Sequence, residues 1–157
     1  MNITLKPIAF VEAERATPED DYWGASRARI VLEPALPAEA LDGLADFSHV
    51  EIVYHFHRVP DEKIVLGARH PRGNPDWPAV GILAQRAKNR PNRIGTTTCR
   101  LVGIEGRVVH VAELDAIHGT PVLDIKPVMR EFLPREEIRQ PEWSNELMRD
   151  YWTSPRP

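Results

Sequence analysis

Fifteen of the 157 residues are proline, and no other feature narrows the possible folds of this chain as far. Proline fixes φ and carries no amide hydrogen, so it interrupts helix interiors and central strands alike. Prolines scattered this densely favour short strands joined by rigid loops over a helical bundle. Residues 60–78 alone hold four prolines and read as largely irregular.

Between the prolines run short apolar or alternating segments. Residues 3–11, 28–32, 96–104, 108–114 and 121–125 read as strands, and 80–84 as a short buried one. The pair 96–104 and 108–114 forms a hairpin turning at Glu105-Gly106. The strongest strand is 49–59, with Val50, Ile52, Tyr54 and Phe56 on one face. The other face carries His49, Glu51, Val53, His55 and His57. Residues 12–25 are charged and turn-rich, hence a loop, and 85–94 form a basic loop. Two short helices are expected, one over 38–45 after Pro37 and one amphipathic over 145–152. The fold class is therefore mainly β, a closed or nearly closed sheet with short peripheral helices. Strands do not alternate with helices of adequate length, which excludes a Rossmann or doubly wound sheet. The length suits one domain over residues 1–157, with a C-terminal tail from about residue 129.

No apolar run approaches the roughly 20 residues that span a bilayer, and the start MNITLKPIAF lacks the order of a signal peptide. No membrane association and a cytoplasmic location are expected. The single cysteine, Cys99, excludes an internal disulfide and a multi-cysteine zinc site. It lies in a strand-like run and reads as a buried, inert thiol. Net charge is −3, but residues 58–107 carry ten basic and four acidic groups, a net +6 in an acidic protein. Such a segment attracts phosphates or an anionic cofactor, or else pairs with the acidic flanks.

GxGxxG, GxxxxGK[ST], HExxH and GxSxG are all missing from the sequence. Three other segments place charged side chains beside Gly and Pro punctuation: ARHPRG at 68–73, GILAQRAKNRPNRIG at 81–95, and LDAIHGTPVLDIKP at 114–127. Loops of this kind, held by a scaffold, are where sites are built. Arg86 and Arg90 flank a turn shaped by Pro91-Asn92. Arginine offers a planar fork of donors for carboxylate or phosphate, and Asn92 has the donor–acceptor pattern of an adenine reader. Asp115 and Asp124 frame a Gly-Thr-Pro turn, placed to hold a ribose hydroxyl or to lie near a sulfonium. A purely structural reading also stands: surface arginines on a turn, a local turn bond at Asp115, and an Asp124–Lys126 pair. His55 and His57 share a strand face, but no third ligand accompanies them, so no metal is expected.

Together these segments resemble the YaeB/TsaA-like family. Its pattern is close to G-[IV]-[FL]-A-x-R-[SA]-x-x-R-P-N-x-I-G, followed by L-D-x-x-[DH]-G-T-P-[VL]-[LV]-D-I-K-P. The run ADFSHVEIVYHFHRV at 45–59 is similar to the family's F-S-H strand. The likeness extends over residues 40–128 or so. It implies a single-sheeted β-barrel and a homodimer with the cofactor site near the subunit interface. It also implies S-adenosylmethionine as cofactor and N6-methylation of threonylcarbamoyladenosine in the tRNA anticodon loop. Methylation of another RNA or a small molecule, and a non-enzymatic binding barrel, are the alternatives.

Carried onto this chain, the resemblance implies cofactor-binding roles for Arg86, Arg90, Asn92, Asp115, Thr120 and Asp124. His57 and His118 become candidate bases, and Arg72 and Lys126 candidate contacts to acceptor phosphates. Departures from the pattern are His118 for an aspartate, Val128 for a tyrosine, Arg93 for a small residue, and a first long loop without the P-R-Q segment.

Overall fold

The computed structural model describes residues 1–155; Arg156 and Pro157, the end of the expected tail, lie outside the described residues. Among the described residues eight strands occur: β1 (Ala9–Ala13), β2 (Arg27–Leu32), β3 (His49–His55), β4 (Ala68–Arg69), β5 (Val80–Gly81), β6 (Ile94–Glu105), β7 (Val108–Ala112) and β8 (Pro121–Pro127). One α-helix, α1 (Glu142–Met148), follows. Six strands close an antiparallel barrel in the order β1-β2-β7-β6-β3-β8, and β4 pairs only with β5. Closure leaves no exposed edge. Among the described residues no helix is long and apolar enough to cross a membrane.

The alternation seen in the sequence is what closes the barrel. Every second residue of β3 is buried, so Val50, Ile52 and Tyr54 point inward. They meet Val11, Ile30, Val109, Val111 and Val122 from the other walls, each almost completely buried. A valine or isoleucine side chain so buried contributes about 1.5–3 kcal/mol. The expected hairpin is present between β6 and β7, with Gly106 at φ 57° in the turn. Cys99 is buried; burial and the nearby Asp115 and Glu113 charges push its thiol up.

Six expected elements come out shorter or different; among them, the strand expected over 49–59 ends at His55 and that over 108–114 at Ala112. The strand expected over 3–11 begins only at Ala9, because β2 and β8 flank β1 from that residue onward. Before it, residues 1–7 are exposed. The expected helix over 38–45 is two 3-10 turns, Ala38–Leu41 and Leu44–Asp46, separated by Gly43 at φ 82°. Residues 80–84 form the two-residue strand β5 and a 3-10 turn that buries Ile82. The last helix covers 142–148 rather than 145–152, starting directly after Pro141.

Candidate active site

In this closed antiparallel barrel β1, β3 and β7 end where β2, β6 and β8 begin, so all six contribute to one rim. Three loops meet there: 14–26 between β1 and β2, the basic loop that enters β6, and 113–120 between β7 and β8. They bring Arg86, Arg90, Asn92, Asp115, His118 and Thr120 to the same rim as His57, just past β3.

Asp115 is the hub of this rim. Its Oδ1 accepts hydrogen bonds from the Tyr54 hydroxyl at 3.1 Å and from Thr97 Oγ1. Its Oδ2 accepts one from the Tyr151 hydroxyl. Three elements, β3, β6 and the C-terminal segment, are thus tied to one half-buried carboxylate. Burial first, and then the Asp115 charge, push both phenols well above the ordinary tyrosine range, so they stay protonated donors. Tyr54 also packs edge to face on Phe56, ring centroids 5.4 Å apart. Gly95 makes room for this pair, since a Cβ there would lie 2.7 Å from the Tyr54 ring.

Beside the hub, Arg86 Nη2 donates to the Thr96 carbonyl at 2.6 Å and to Thr96 Oγ1 at 3.3 Å. Arg90 Nη1 donates to the Gln85 carbonyl at 2.7 Å and so closes the loop on itself. Buried Gln85 donates in turn to the carbonyls of Arg69 and Val80. Asn92 and Arg93 both adopt left-handed backbone, φ 63° and 52°, a conformation asparagine tolerates better than most residues. Arg93 pairs with Asp61 at 2.9 Å and also donates to the Val59 carbonyl.

His57 and His118 are exposed on the rim. His57 Nε2 lies 3.9 Å from where a Cβ of Gly119 would stand, which places the ring over the Gly-Thr-Pro turn. Burial, then the charges of Arg58 and His55, hold its pKa below the usual histidine range. His118 Nδ1 accepts from the Ala13 amide at 3.4 Å and its own amide donates to the Arg15 carbonyl. An open groove of about 450 Å³, lined by Glu12, Glu14, Arg27 and Arg29 among others, starts at His118. Thr120, within the turn, is buried.

The remaining candidates lie elsewhere. Asp124 and Lys126 pair with each other on the outer wall of β8, opposite Val53 and Glu51, and the Asp124 carboxylate pushes the exposed Lys126 ammonium up. Arg72 donates twice to Asp21, at 3.0 and 2.8 Å, and Lys88 lies 3.9 Å from Asp20. The acidic first loop therefore neutralises part of the basic middle segment. The hub partners Tyr54, Thr97 and Tyr151 escaped the reading of the sequence. Only Tyr54 left a signal, a hydroxyl on an otherwise apolar inward face.

The loop presents donors suited to an anionic group. The backbone amides of residues 86–90 have no backbone acceptor among the described residues. Arg86 and Arg90 each commit one guanidinium nitrogen and keep others to offer. Donors in excess at a half-buried loop suit an anionic group. Among the described residues no three His, Cys, Asp or Glu side chains are placed to hold a metal ion.

Comparison with known proteins shows the family of the chain. The family described as the tRNA-methyltransferase O N-terminal domain matches residues 9–132. A human tRNA (adenine(37)-N6)-methyltransferase is 32% identical over 148 residues, covering 89% of this chain and 33% of that protein. A Pyrococcus abyssi protein named for S-adenosyl-L-methionine binding is 33% identical over 143 residues, covering 87% of this chain and 74% of that protein. A crystal structure of TrmO from Pseudomonas aeruginosa superposes with TM-score 0.73 at 28% identity, covering 91% of this chain and 62% of that one. The chain thus spans about a third of the human relative's length.

Proposed function

The chain belongs to the tRNA-methyltransferase O N-terminal domain family, and on that premise we propose that it methylates a tRNA adenosine with S-adenosylmethionine bound at the barrel rim. The observation that carries this reading is the run of free amides at 86–90, flanked by Arg86 and Arg90 and set beside the Asp115 hub. The proposed acceptor is N6 of threonylcarbamoyladenosine in the anticodon loop. Its support is the name of the human relative, which specifies adenine 37 of tRNA.

When bound, the cofactor supplies an electrophilic methyl group on a sulfonium. Arg86, Arg90 and the loop amides hold its carboxylate through charge-assisted bonds, while Asn92 reads the adenine edge. Asp115 keeps the β6 start in place and Thr120 forms the floor. Orientation of donor and acceptor supplies several kcal/mol of the barrier reduction. An amide-like nitrogen loses a proton on methylation, and His57 stands on the rim to take it, whereas the lone pair of His118 Nδ1 is turned to the Ala13 amide. The lowered pKa of His57 leaves its ring neutral, and so able to accept a proton, at pH 7.

The same reading makes the protein a cytoplasmic homodimer. Met129, Phe132 and Leu133 support the dimer: they are exposed by 41%, 87% and 47%, apolar surface that a second copy would cover. One observation favours a second reading, a small-molecule acceptor. Arg72, a candidate for phosphate contact, is engaged by Asp21, and Lys88 of the basic loop lies 3.9 Å from Asp20. Mass spectrometry of tRNA nucleosides from a deletion strain and its complement decides between them. The methylated nucleoside should vanish and return; unchanged nucleosides would leave the small-molecule acceptor.

A further inference from the structure

The C-terminal segment is more than an appendage to the barrel. It lies beyond residue 132, where the family match ends, yet it returns to the rim after an exposed stretch from 129 to 142. There it is held at four points. Trp77 Nε1 donates to Glu146 Oε2 at 2.8 Å. The amides of Tyr22 and Trp23 donate to the carbonyls of Asp150 and Tyr151 at 3.2 and 2.8 Å. Gly24 packs so closely that a Cβ would lie 1.9 Å from the Trp152 carbonyl oxygen. Finally, the Tyr151 hydroxyl reaches Asp115 Oδ2.

This docking connects the segment to the cofactor loop. Asp115 also holds Thr97, the residue after Thr96, and Thr96 is the one on which Arg86 rests. We propose that Tyr151 is a positioning residue of the cofactor site: it orients Asp115, which fixes the start of β6 and through it Arg86. The proposal rests on the reading of the rim as the cofactor site and adds to it a residue from outside the matched domain. It also makes the first long loop and the C-terminal segment one unit. Arg15 stacks on Trp23 at 3.8 Å, and the amide of Trp23 carries the carbonyl of Tyr151.

The test compares wild type, Tyr151→Phe and Gly24→Ala in the full chain. Tyr151→Phe removes only the hydroxyl, whereas Gly24→Ala displaces the segment with Tyr151 intact. Hydrogen exchange of peptides covering 86–98 should quicken about tenfold in both variants, while strands β2 and β7 keep wild-type protection. Calorimetry should show S-adenosylmethionine bound roughly tenfold more weakly, the share of one charge-assisted bond. In a tRNA methylation assay KM for the cofactor should rise with kcat at saturation unchanged. Unchanged exchange over 86–98 would overturn the proposal, as would faster exchange with wild-type cofactor affinity, the mark of a merely structural tail. Wild-type protein that gives no heat with S-adenosylmethionine would instead sink the cofactor reading itself.

Discussion

Tyr151 donates a hydrogen bond to Asp115, 36 positions earlier in the chain, and this contact joins the C-terminal segment to the barrel rim. The carboxylate takes two further hydroxyl donors, from Tyr54 and Thr97. Replacing Asp115 by Asn removes the charge that all three bonds share. A hydrogen bond to a charged group contributes about 1.5–3 kcal/mol, so Asp115→Asn should lower unfolding free energy by roughly that much. Urea denaturation followed by circular dichroism measures it; an unchanged midpoint would refute the hub.

Gly95 is required by side-chain packing rather than by backbone conformation. A methyl group there would press into the Tyr54 and Phe56 rings, at 2.7 and 2.8 Å. Overpacking of this kind costs about 1–3 kcal/mol. Gly95→Ala should lower the melting temperature and, by tilting Tyr54, loosen its bond to Asp115. A double-mutant cycle with Tyr54→Phe should show coupling between the two sites.

Arg86, Arg90 and Arg93 are close in sequence but differ in what they have left to give. Arg93 is engaged by Asp61 and by the Val59 carbonyl, which staples the loop to the 56–61 segment. Among the described residues Arg86 and Arg90 bind only local backbone and a threonine. Arg86→Ala and Arg90→Ala should each weaken S-adenosylmethionine binding about 10- to 150-fold by calorimetry. Arg93→Ala should change affinity by less than about threefold and act on stability instead. Equal losses for all three would contradict this division.

His55 and His57 both titrate below the free histidine value, burial being the first cause in each. The folded state therefore binds their protons more weakly than the unfolded chain does. Their contribution to stability is present above the unfolded value of about 6.5 and is lost as pH falls through the lower folded values. Stability should decline on the acid side of pH 6.5, modestly because both rings are largely solvated. The His55→Gln/His57→Gln double variant should flatten that decline in urea midpoints measured from pH 7.5 to 5.5.

Asp20 and Asp21 occupy Arg72 and Lys88. If tRNA is the acceptor, its phosphates compete with these aspartates. Asp20→Asn/Asp21→Asn should then tighten tRNA binding in filter assays and steepen its salt dependence by about one to two released counterions. A variant that binds tRNA no better than wild type would favour the small-molecule acceptor.

Period-two alternation and the scatter of prolines were enough to read this chain as mainly β with a closed or nearly closed sheet, while the single-sheeted barrel was implied only by the family resemblance. The reason is local: inward and outward residues alternate along each strand whatever the strand's partner. β3 shows this directly, because the face read as apolar in the sequence is the buried face of the barrel. The motif at 81–95 likewise marked the basic loop, since Pro91, Asn92 and the arginines carry their chemistry in the primary structure. What each charged group does was decided only by the tertiary structure. Asp115 meets Thr97, Tyr151 and Tyr54 across 18, 36 and 61 positions, and only closure of the barrel together with docking of the C-terminal segment makes those neighbours. Tyr54 read as core because its ring is core; its hydroxyl found Asp115 only once β7 and β3 reached the same rim. The 38–45 helix failed for the complementary reason, a local pattern cut by Gly43 into two 3-10 turns that anchor on the core through Leu41 and Leu44. Local periodicity determines which face of a segment is buried, whereas a site depends on contacts between segments far apart in the chain, and chain closure selects those.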